Sequence, residues 1–153
     1  MPNTYTQIYI QIVFTVQGRQ NLIPKHKREE LQKYITGIIT KRKHKLLSIF
    51  VMPDHTHLLV GLNADLAISD LVRDIKAGSS KFISDNNWVK GKFSWQKGFG
   101  AFSYSKSQIN RVINYIANQE KHHKKRWFKE EYLDFLNKFE IEFNDKYLFN
   151  WIE

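Results

Sequence analysis

The chain has 153 residues, of which 42% are hydrophobic and 25% are charged, a composition typical of one globular domain with its own core. Lysine and arginine number 24 against 15 acidic residues, so the formal charge is +9, which favours nucleic acid or an anionic membrane surface as partner. The absence of cysteine excludes disulfides, thiolate metal sites and cysteine nucleophiles. No apolar run approaches the roughly 18 residues of a membrane span and no signal peptide is visible, so we expect a soluble cytoplasmic protein.

The charge is unevenly distributed along the chain. Basic residues cluster at 41–45 and 121–126, whereas residues 130–153 contain seven acidic residues and two basic ones. A single basic run usually marks a solvated helix face, but two runs in one small domain favour contact with nucleic acid. The acidic tail from about residue 130 either covers a basic surface or aids solubility.

The first half of the chain predicts a strand, a helix and a hairpin. Residues 4–16 alternate apolar and polar side chains with period 2, which indicates a strand. Pro24 suits the first turn of a helix over about 25–42. Residues 46–52 and 56–62 predict two further strands, and Pro53 and Asp54 supply the turn that joins them.

The second half predicts further helices around two short strands. Ser69 is a candidate cap for a helix that a weak spot at 78–80 kinks or ends. Residues 93–96 and 101–104 read as short strands. Ser105 or Ser107 is a candidate cap for the next helix, and residues 130–139 predict a last one. The order β-α-β-β-α-β with an added helix indicates one α+β domain with an antiparallel sheet.

A histidine pair follows the predicted hairpin turn. On a strand, residues i and i+2 share a face, so His55 and His57 point one way while Thr56 and Leu58 point the other. Two imidazoles at this spacing can hold one divalent metal ion; the alternative is two histidines on a solvent-exposed sheet face. A histidine-triad hydrolase would need a third histidine at Leu59, so that class is disfavoured.

A tyrosine lies on a predicted helix above the second basic run. Residues i, i+4 and i+7 of a helix share a stripe, which brings Tyr115, Gln119 and His122 together. One interpretation is that Tyr115 lies at the edge of the core, with its ring packed and its hydroxyl in water. The other is that the stripe brings together a nucleophile, a metal ligand and the phosphate-binding charge of the basic run.

Taken together, these segments resemble the single-tyrosine HUH transposases of the insertion-sequence 200/605 group. The resemblance covers about residues 4–135 and rests on the first strand and on three segments: 52–60 (MPDHTHLLV), 93–103 (FSWQKGFGAFS) and 115–123 (YIANQEKHH). One departure is Thr56, where the family usually has a larger apolar residue.

The resemblance implies a fold, an activity and a set of site residues. The fold is a ferredoxin-like or RRM-like antiparallel sheet with helices packed on one face, in one domain over 1–153 that forms a homodimer. His55, His57 and Gln119 would bind the metal, and Tyr115 would be the nucleophile that cuts single-stranded DNA at hairpin-marked element ends. No small-molecule cofactor and no membrane partner are implied, and the protein would act at the bacterial or archaeal nucleoid.

The chemistry of such a site is consistent with these residue types. Attack of the tyrosine oxygen on a backbone phosphorus gives a 5′-phosphotyrosine and a free 3′-OH, and a second 3′-OH can reverse the step without ATP. Phosphate and availability favour Mg²⁺, imidazole ligands favour Mn²⁺, and the ligands also accommodate Zn²⁺. No dedicated general base is evident. The candidate DNA contacts are the following basic residues: Lys41, Arg42, Lys43, Lys76, Lys81, Arg111, His122, His123, Lys124, Lys125 and Arg126.

Three alternatives remain open from the sequence. A domesticated relative that processes repeated palindromes would use the same residues, and gene context separates it from a mobile element. A non-catalytic nucleic-acid-binding module would bind through exposed aromatic residues and tolerate replacement of Tyr115. A replication initiator or relaxase would share the histidine pair but usually has a longer chain.

Overall fold

The computed structural model describes residues 3–17, 22–124, 127–144, 146 and 148–149. Its four strands are β1 (Tyr9–Thr15), β2 (Lys45–Val51), β3 (His55–Gly61) and β4 (Gly100–Tyr104). Its five α-helices are α1 (Arg28–Lys41), α2 (Ile68–Asp85), α3 (Ile109–Ala117), α4 (Gln119–His123) and α5 (Phe128–Lys138). Short 3-10 turns precede α1 at Lys25–Lys27 and α3 at Lys106–Gln108. No helix of the described residues is long and apolar enough to cross a membrane.

The strands form one antiparallel sheet in the order β2-β3-β1-β4. This is the spatial order that a βαββαβ chain takes when its two helical connections cross the same face of the sheet. The α+β antiparallel fold predicted from the sequence is therefore confirmed. The ladder of β1 begins at Tyr9, opposite Gly61 on β3 and Tyr104 on β4, so the strand is shorter than the alternation over 4–16 predicts.

One face of the sheet packs against α1 and α2. The even-numbered positions of β1 supply its apolar side chains, from Ile10 through Ile12 to Phe14, and they contact Ile35 of α1 and Ile75 of α2 in the main core. The period-2 pattern of β1 thus selects the face on which the two connecting helices lie.

The other face is also covered, which corrects the prediction that the helices pack on one face only. Leu59 of β3 contacts Ile109, Val112 and Ile116 of α3. Val13 of β1 contacts α5 in a separate apolar cluster. The reason is that Val13 and Leu59 place apolar side chains among the polar ones on this face of β1 and β3, and burying them requires a cover of helices.

Two local predictions also have a clear outcome. Ser69 is not the N-cap of α2, which begins at Ile68 with Ala67 as the cap. The weak spot at 78–80 does not end α2, which continues to Asp85. Within it, Ser79 Oγ donates to the Ile75 carbonyl and accepts the indole N–H of Trp95. Trp95 joins the core through this contact and pairs with Val16 as an isolated bridge.

The start of α3 follows the prediction for Ser105. Its backbone N–H donates to Gln108 Oε1 at 3.0 Å, one half of a capping box at the preceding 3-10 turn. Asn118 then separates α3 from α4, so the predicted helix that carries Tyr115, Gln119 and His122 is broken there.

Candidate metal and nucleophile site

The histidine pair lies on the face of β3 that α3, α4 and α5 cover. His55 pairs with Thr15 and His57 with Val13 across the β1–β3 ladder. The two side chains are 1% and 0% exposed, so the alternative of two solvent-exposed histidines is wrong. They are held beneath helices that come from the C-terminal third of the chain.

His55 is oriented by the residue before it. Its Nδ1–H donates to Asp54 Oδ1 at 2.7 Å, which leaves Nε2 facing the interior of the site. Burial would raise the pKa of Asp54, but the hydrogen bond and charge of His55 outweigh that effect and lower it. Asp54 therefore stays ionised as the acceptor. The His55 ring stacks on Phe128 of α5, with ring centroids 4.1 Å apart.

His57 is held by a chain of hydrogen bonds that crosses the sheet. Tyr104 Oη donates to Gln11 Oε1 at 2.8 Å, and Gln11 Nε2 donates to His57 Nδ1 at 3.0 Å. His57 Nε2–H in turn donates to Glu131 Oε1 at 2.9 Å. Burial lowers the pKa of His57, although Glu131 opposes that change, and burial raises the pKa of Tyr104 to about 12. Both groups are therefore neutral near pH 7.

Glu131 of α5 is the acidic centre of the site and is fully buried. Its Oε1 accepts hydrogen bonds from His57 Nε2 and, at 3.2 Å, from His123 Nε2. Its Oε2 accepts the hydroxyl of Tyr115. Burial would raise the pKa of Glu131, but the interactions with His57 and His123 outweigh it and hold the pKa well below its usual range. The side chain is therefore a carboxylate near neutral pH.

Tyr115, Gln119 and His122 converge as the predicted stripe requires, despite the break at Asn118. The Tyr115 ring stacks on His122, with centroids 4.3 Å apart. Gln119 is buried and its Oε1 lies 3.5 Å from His55 Nε2. The sequence stripe thus brings the proposed nucleophile and third ligand to the histidine pair.

The donor atoms of this site fit a divalent metal ion. One ligand atom each from His55, His57, His123 and Glu131 lie within 4.8 Å of one another. Imidazole nitrogen and carboxylate oxygen are the ligands that Mn²⁺, Zn²⁺ and related ions take in proteins. His123, which the sequence analysis placed among the DNA contacts, therefore belongs to this cluster.

An open cavity of about 580 Å³ adjoins Tyr115. Gln11 and Tyr104 of the sheet line it, together with the cationic Arg111 and Lys138 and the acidic Asp134. Glu131 also lines the cavity, so a group that enters it can reach both Tyr115 and Glu131.

The remaining candidate DNA contacts are scattered. Lys41, Arg42 and Lys43 lie just before the first residue of β2. The last residue of β2, Val51, pairs with Thr56, which lies between the two histidines on β3. The three basic residues are therefore about 20 Å from the site, the length of the strand. Arg42 is paired with Asp74 at 2.6 Å.

The candidates on α2 and beyond α4 are similarly dispersed. Lys76 Nζ donates to the carbonyls of Gln96 and Gly98, and burial lowers its pKa to about 8. Lys81 pairs with Asp85, and Lys124 is exposed. Lys125 and Arg126 lie outside the described residues.

Two residues of the candidate site were missed in the sequence. Glu131 falls on the apolar stripe of α5, at the i+3 position from Phe128 and the i−4 position from Phe135. A carboxylate on an otherwise apolar stripe indicates a buried acidic group. The signal is hard to recognise here because the whole segment from residue 130 is acidic. Gln11 alternates with apolar residues on β1, and its period assigns it to the same sheet face as Thr15.

Comparison with protein families gives one match that covers most of the chain. The model of the family "Transposase IS200 like" matches residues 4–119. Among curated proteins, the chain is 22% identical over 120 residues to the ISDra2 transposase TnpA of Deinococcus radiodurans, covering 74% of this chain and 84% of that protein.

Solved structures share the fold. A transposase of Deinococcus radiodurans R1 superposes with a TM-score of 0.60 at 21% identity, covering 78% of this chain and 95% of that one. A REP-associated tyrosine transposase bound to a REP hairpin superposes with a TM-score of 0.61 at 17% identity, covering 80% and 73%.

Proposed function

Since the chain belongs to the IS200-like transposase family, we propose that it cuts and rejoins single-stranded DNA with Tyr115 as the nucleophile. The observation that carries the proposal is the position of Tyr115. It lines an open cavity, and its hydroxyl contacts a buried group of histidine, glutamine and glutamate side chains that can bind a metal. A tyrosine that served only packing would have no need of a buried carboxylate as its acceptor.

The proposed substrate is a DNA hairpin that marks the ends of the element. The formal charge of +9 supports a nucleic-acid partner. A structural relative is a transposase bound to a REP hairpin, and the cationic Arg111 and Lys138 are among the residues that line the cavity beside Tyr115. We expect the protein to act at the nucleoid in the cytoplasm, where such DNA is found.

In the proposed reaction the Tyr115 oxygen attacks a backbone phosphorus and the 3′ oxygen leaves. A 5′-phosphotyrosine forms as the P–O3′ bond breaks, so the phosphodiester energy is conserved for rejoining by another 3′-OH. His55, His57 and Gln119 would hold a divalent ion, Mg²⁺ or Mn²⁺, which when bound polarises the phosphate and stabilises charge on the leaving oxygen. Asp54 and Gln11 hold the two imidazoles in place, and Arg111 lies where it can contact the phosphate backbone.

We further propose that the protein is a homodimer, as the family resemblance predicts. Tyr115 and the histidine pair nevertheless meet within one chain, so a dimer is not needed to bring them together. Sedimentation equilibrium with and without hairpin DNA tests the assembly.

The decisive experiment is formation of a covalent DNA–protein adduct. Labelled single-stranded hairpins from the flanks of the gene are incubated with Mg²⁺ or Mn²⁺ and separated on a denaturing gel. The wild type is expected to form an adduct that requires the metal, and Tyr115→Phe none. Tyr34→Phe is the matched control, since Tyr34 stacks on Phe82 of α2 on the opposite face of the sheet and its loss should leave the adduct unchanged.

Two results would contradict the proposal. DNA binding without an adduct under either metal would indicate the non-catalytic binding module. An adduct that survives Tyr115→Phe would assign the nucleophile to another tyrosine, with Tyr104 next to be tested because it lines the same cavity.

A further inference from the structure

The carboxylate of Glu131 has two oxygens with different neighbours. Oε1 faces the histidines, at 2.9 Å from His57 Nε2, 3.2 Å from His123 Nε2 and 4.0 Å from His55 Nε2. Oε2 faces the nucleophile, accepting the Tyr115 hydroxyl, with Gln119 Nε2 at 3.4 Å. One side chain therefore links the metal-binding half of the site to its reactive half.

A purely structural role explains this carboxylate poorly. Among the described residues, Glu131 is the one acidic side chain in the buried class, and its neighbours on the buried side of α5 are Phe128, Tyr132 and Leu136. Removing an ion from water costs several kcal/mol, and apolar residues of similar volume are often as stabilising as a buried ion pair. An apolar side chain at 131 would satisfy packing, so the charge calls for a chemical role.

The spacing around Oε1 fits the coordination sphere of a metal ion. With metal–ligand bonds of about 2.1 Å, neighbouring ligand atoms are roughly 3 Å apart and opposite ones roughly 4 Å apart. The distances from Oε1 to the three imidazole nitrogens span this range. His123 Nε2 also lies 3.1 Å from Gln119 Oε1, so both oxygens are on the same side of the site. To bind a metal through Nε2, His57 and His123 carry their ring proton on Nδ1, and the ion then takes the place of the hydrogen that Nε2 shares with Glu131 without it.

We propose that Glu131 is the anionic ligand of the metal ion, through Oε1, and that its Oε2 positions the Tyr115 hydroxyl. This inference rests on the proposed function, to which it adds the charged ligand. His55, His57 and Gln119 alone are neutral, whereas Mg²⁺ and Mn²⁺ are hard ions that favour a carboxylate oxygen. Helix α5 lies beyond the 4–119 range matched by the family model, so this chain brings the ligand from its own C-terminal helix.

Metal affinity measured without DNA tests the proposal directly. Protein stripped with chelator is titrated with Mn²⁺, and the free ion is followed by its electron paramagnetic resonance signal. Glu131→Gln, which keeps shape and removes charge, is expected to weaken Mn²⁺ binding at least about tenfold. Glu130→Gln is the matched control, because Glu130 is exposed on the same helix and its loss should change affinity less than about twofold.

A measurement on the wild type removes any dependence on how the variants fold. Protein labelled with ¹³C at the glutamate carboxyl carbon is loaded with Mn²⁺ and examined by electron–nuclear double resonance. A strong ¹³C coupling requires a glutamate in direct contact with the ion, and Glu131 is the glutamate of the described cluster. The expected result is a coupling in the wild type that disappears in Glu131→Asp labelled in the same way.

The outcomes separate this inference from the proposed function. If Glu131→Gln binds Mn²⁺ within twofold of the wild type, while His55→Ala abolishes binding and no ¹³C coupling is seen, Glu131 is only a counter-ion and the proposed function stands. If the wild type binds neither Mn²⁺ nor Mg²⁺, the ligand role and the metal part of the function fail together. The adduct assay with Tyr115→Phe still decides the nucleophile independently.

Discussion

Replacing Gly100 by alanine should push α5 away from the sheet. A Cβ at this position of β4 would lie 2.7 Å from Tyr132 Oη, 2.8 Å from Tyr132 Cε1 and 3.1 Å from Phe102 Cε2. Tyr132 is 5% exposed and packs against Phe128 and Phe149, so its ring has little room to move aside. The added methyl group therefore forces the helix or the strand to shift.

The size of the effect follows from two opposing contributions. Overpacking of a filled core lowers the free energy of unfolding by about 1–3 kcal/mol. Alanine has fewer conformations than glycine in the unfolded chain, which raises the free energy of unfolding by about 0.5–1 kcal/mol. Taking the middle of each range, we expect a net loss of about 1.25 kcal/mol in the free energy of unfolding. For a chain of this size that corresponds to a midpoint lower by roughly 2–5 °C.

Urea denaturation followed by circular dichroism measures this loss, and Gly37→Ala is the control. Gly37 lies in α1 with nothing within 4 Å of an added Cβ, so alanine there should stabilise the protein by about 0.5–1 kcal/mol. The reasoning is refuted if Gly100→Ala is as stable as the wild type with an unchanged denaturant slope. Weaker Mn²⁺ binding by Gly100→Ala would also be expected, because α5 positions Glu131.

Three further predictions concern buried polar and aromatic contacts. Burial and Arg42 lower the pKa of His44 from 6.5, and its Nδ1 accepts the Asn63 N–H. The unfolded state therefore binds a proton at His44 more readily than the folded state does. The free energy of unfolding falls as the pH drops below about 6.5, by at most about 1.4 kcal/mol per pH unit. In urea denaturation at pH 7.5 and pH 5.5, His44→Gln should lose less stability between the two pH values than the wild type does. Ser79→Ala leaves the buried indole N–H of Trp95 without its acceptor and should lower the free energy of unfolding by about 1–3 kcal/mol in the same urea denaturation. An unchanged midpoint would contradict that contact. Phe128→Ala uncovers the histidine pair and should cost about 3–5 kcal/mol and speed amide exchange in α5, and exchange unaltered there would argue against its role as a cover.

Much of the fold and part of the site were predictable because they depend on local periodicity. The alternation of β1 and the i, i+2 spacing of His55 and His57 determine which side chains share a sheet face. The i, i+4 spacing of Tyr115 and Gln119 is short enough to survive the break at Asn118. The family match confirms the resemblance, and the roles that the resemblance assigns to these residues stay predictions.

The part of the site that was missed depends on long-range packing. Glu131 lies 74 residues from the histidine that it contacts, and no local pattern states which surface α5 will cover. The apolar stripe of α5 shows that the helix is buried somewhere, but the partner is selected by complementary shape, with Tyr132 fitting over the bare backbone of Gly100. The place of His123 in the cluster was missed for the same reason, since the basic run around it resembles a solvated face in the sequence, and its predicted contact with DNA stays a prediction.

By itself the sequence determined the order of the elements, the sheet face of the histidine pair and the stripe that holds the tyrosine, because each is set by dihedral periodicity within one element. Only the tertiary structure decided that both faces of the sheet are covered and that a carboxylate from the last helix lies between the histidines and Tyr115. Those contacts join elements far apart in the chain, and their energies come from burial and hydrogen bonding that exist only once the elements have packed.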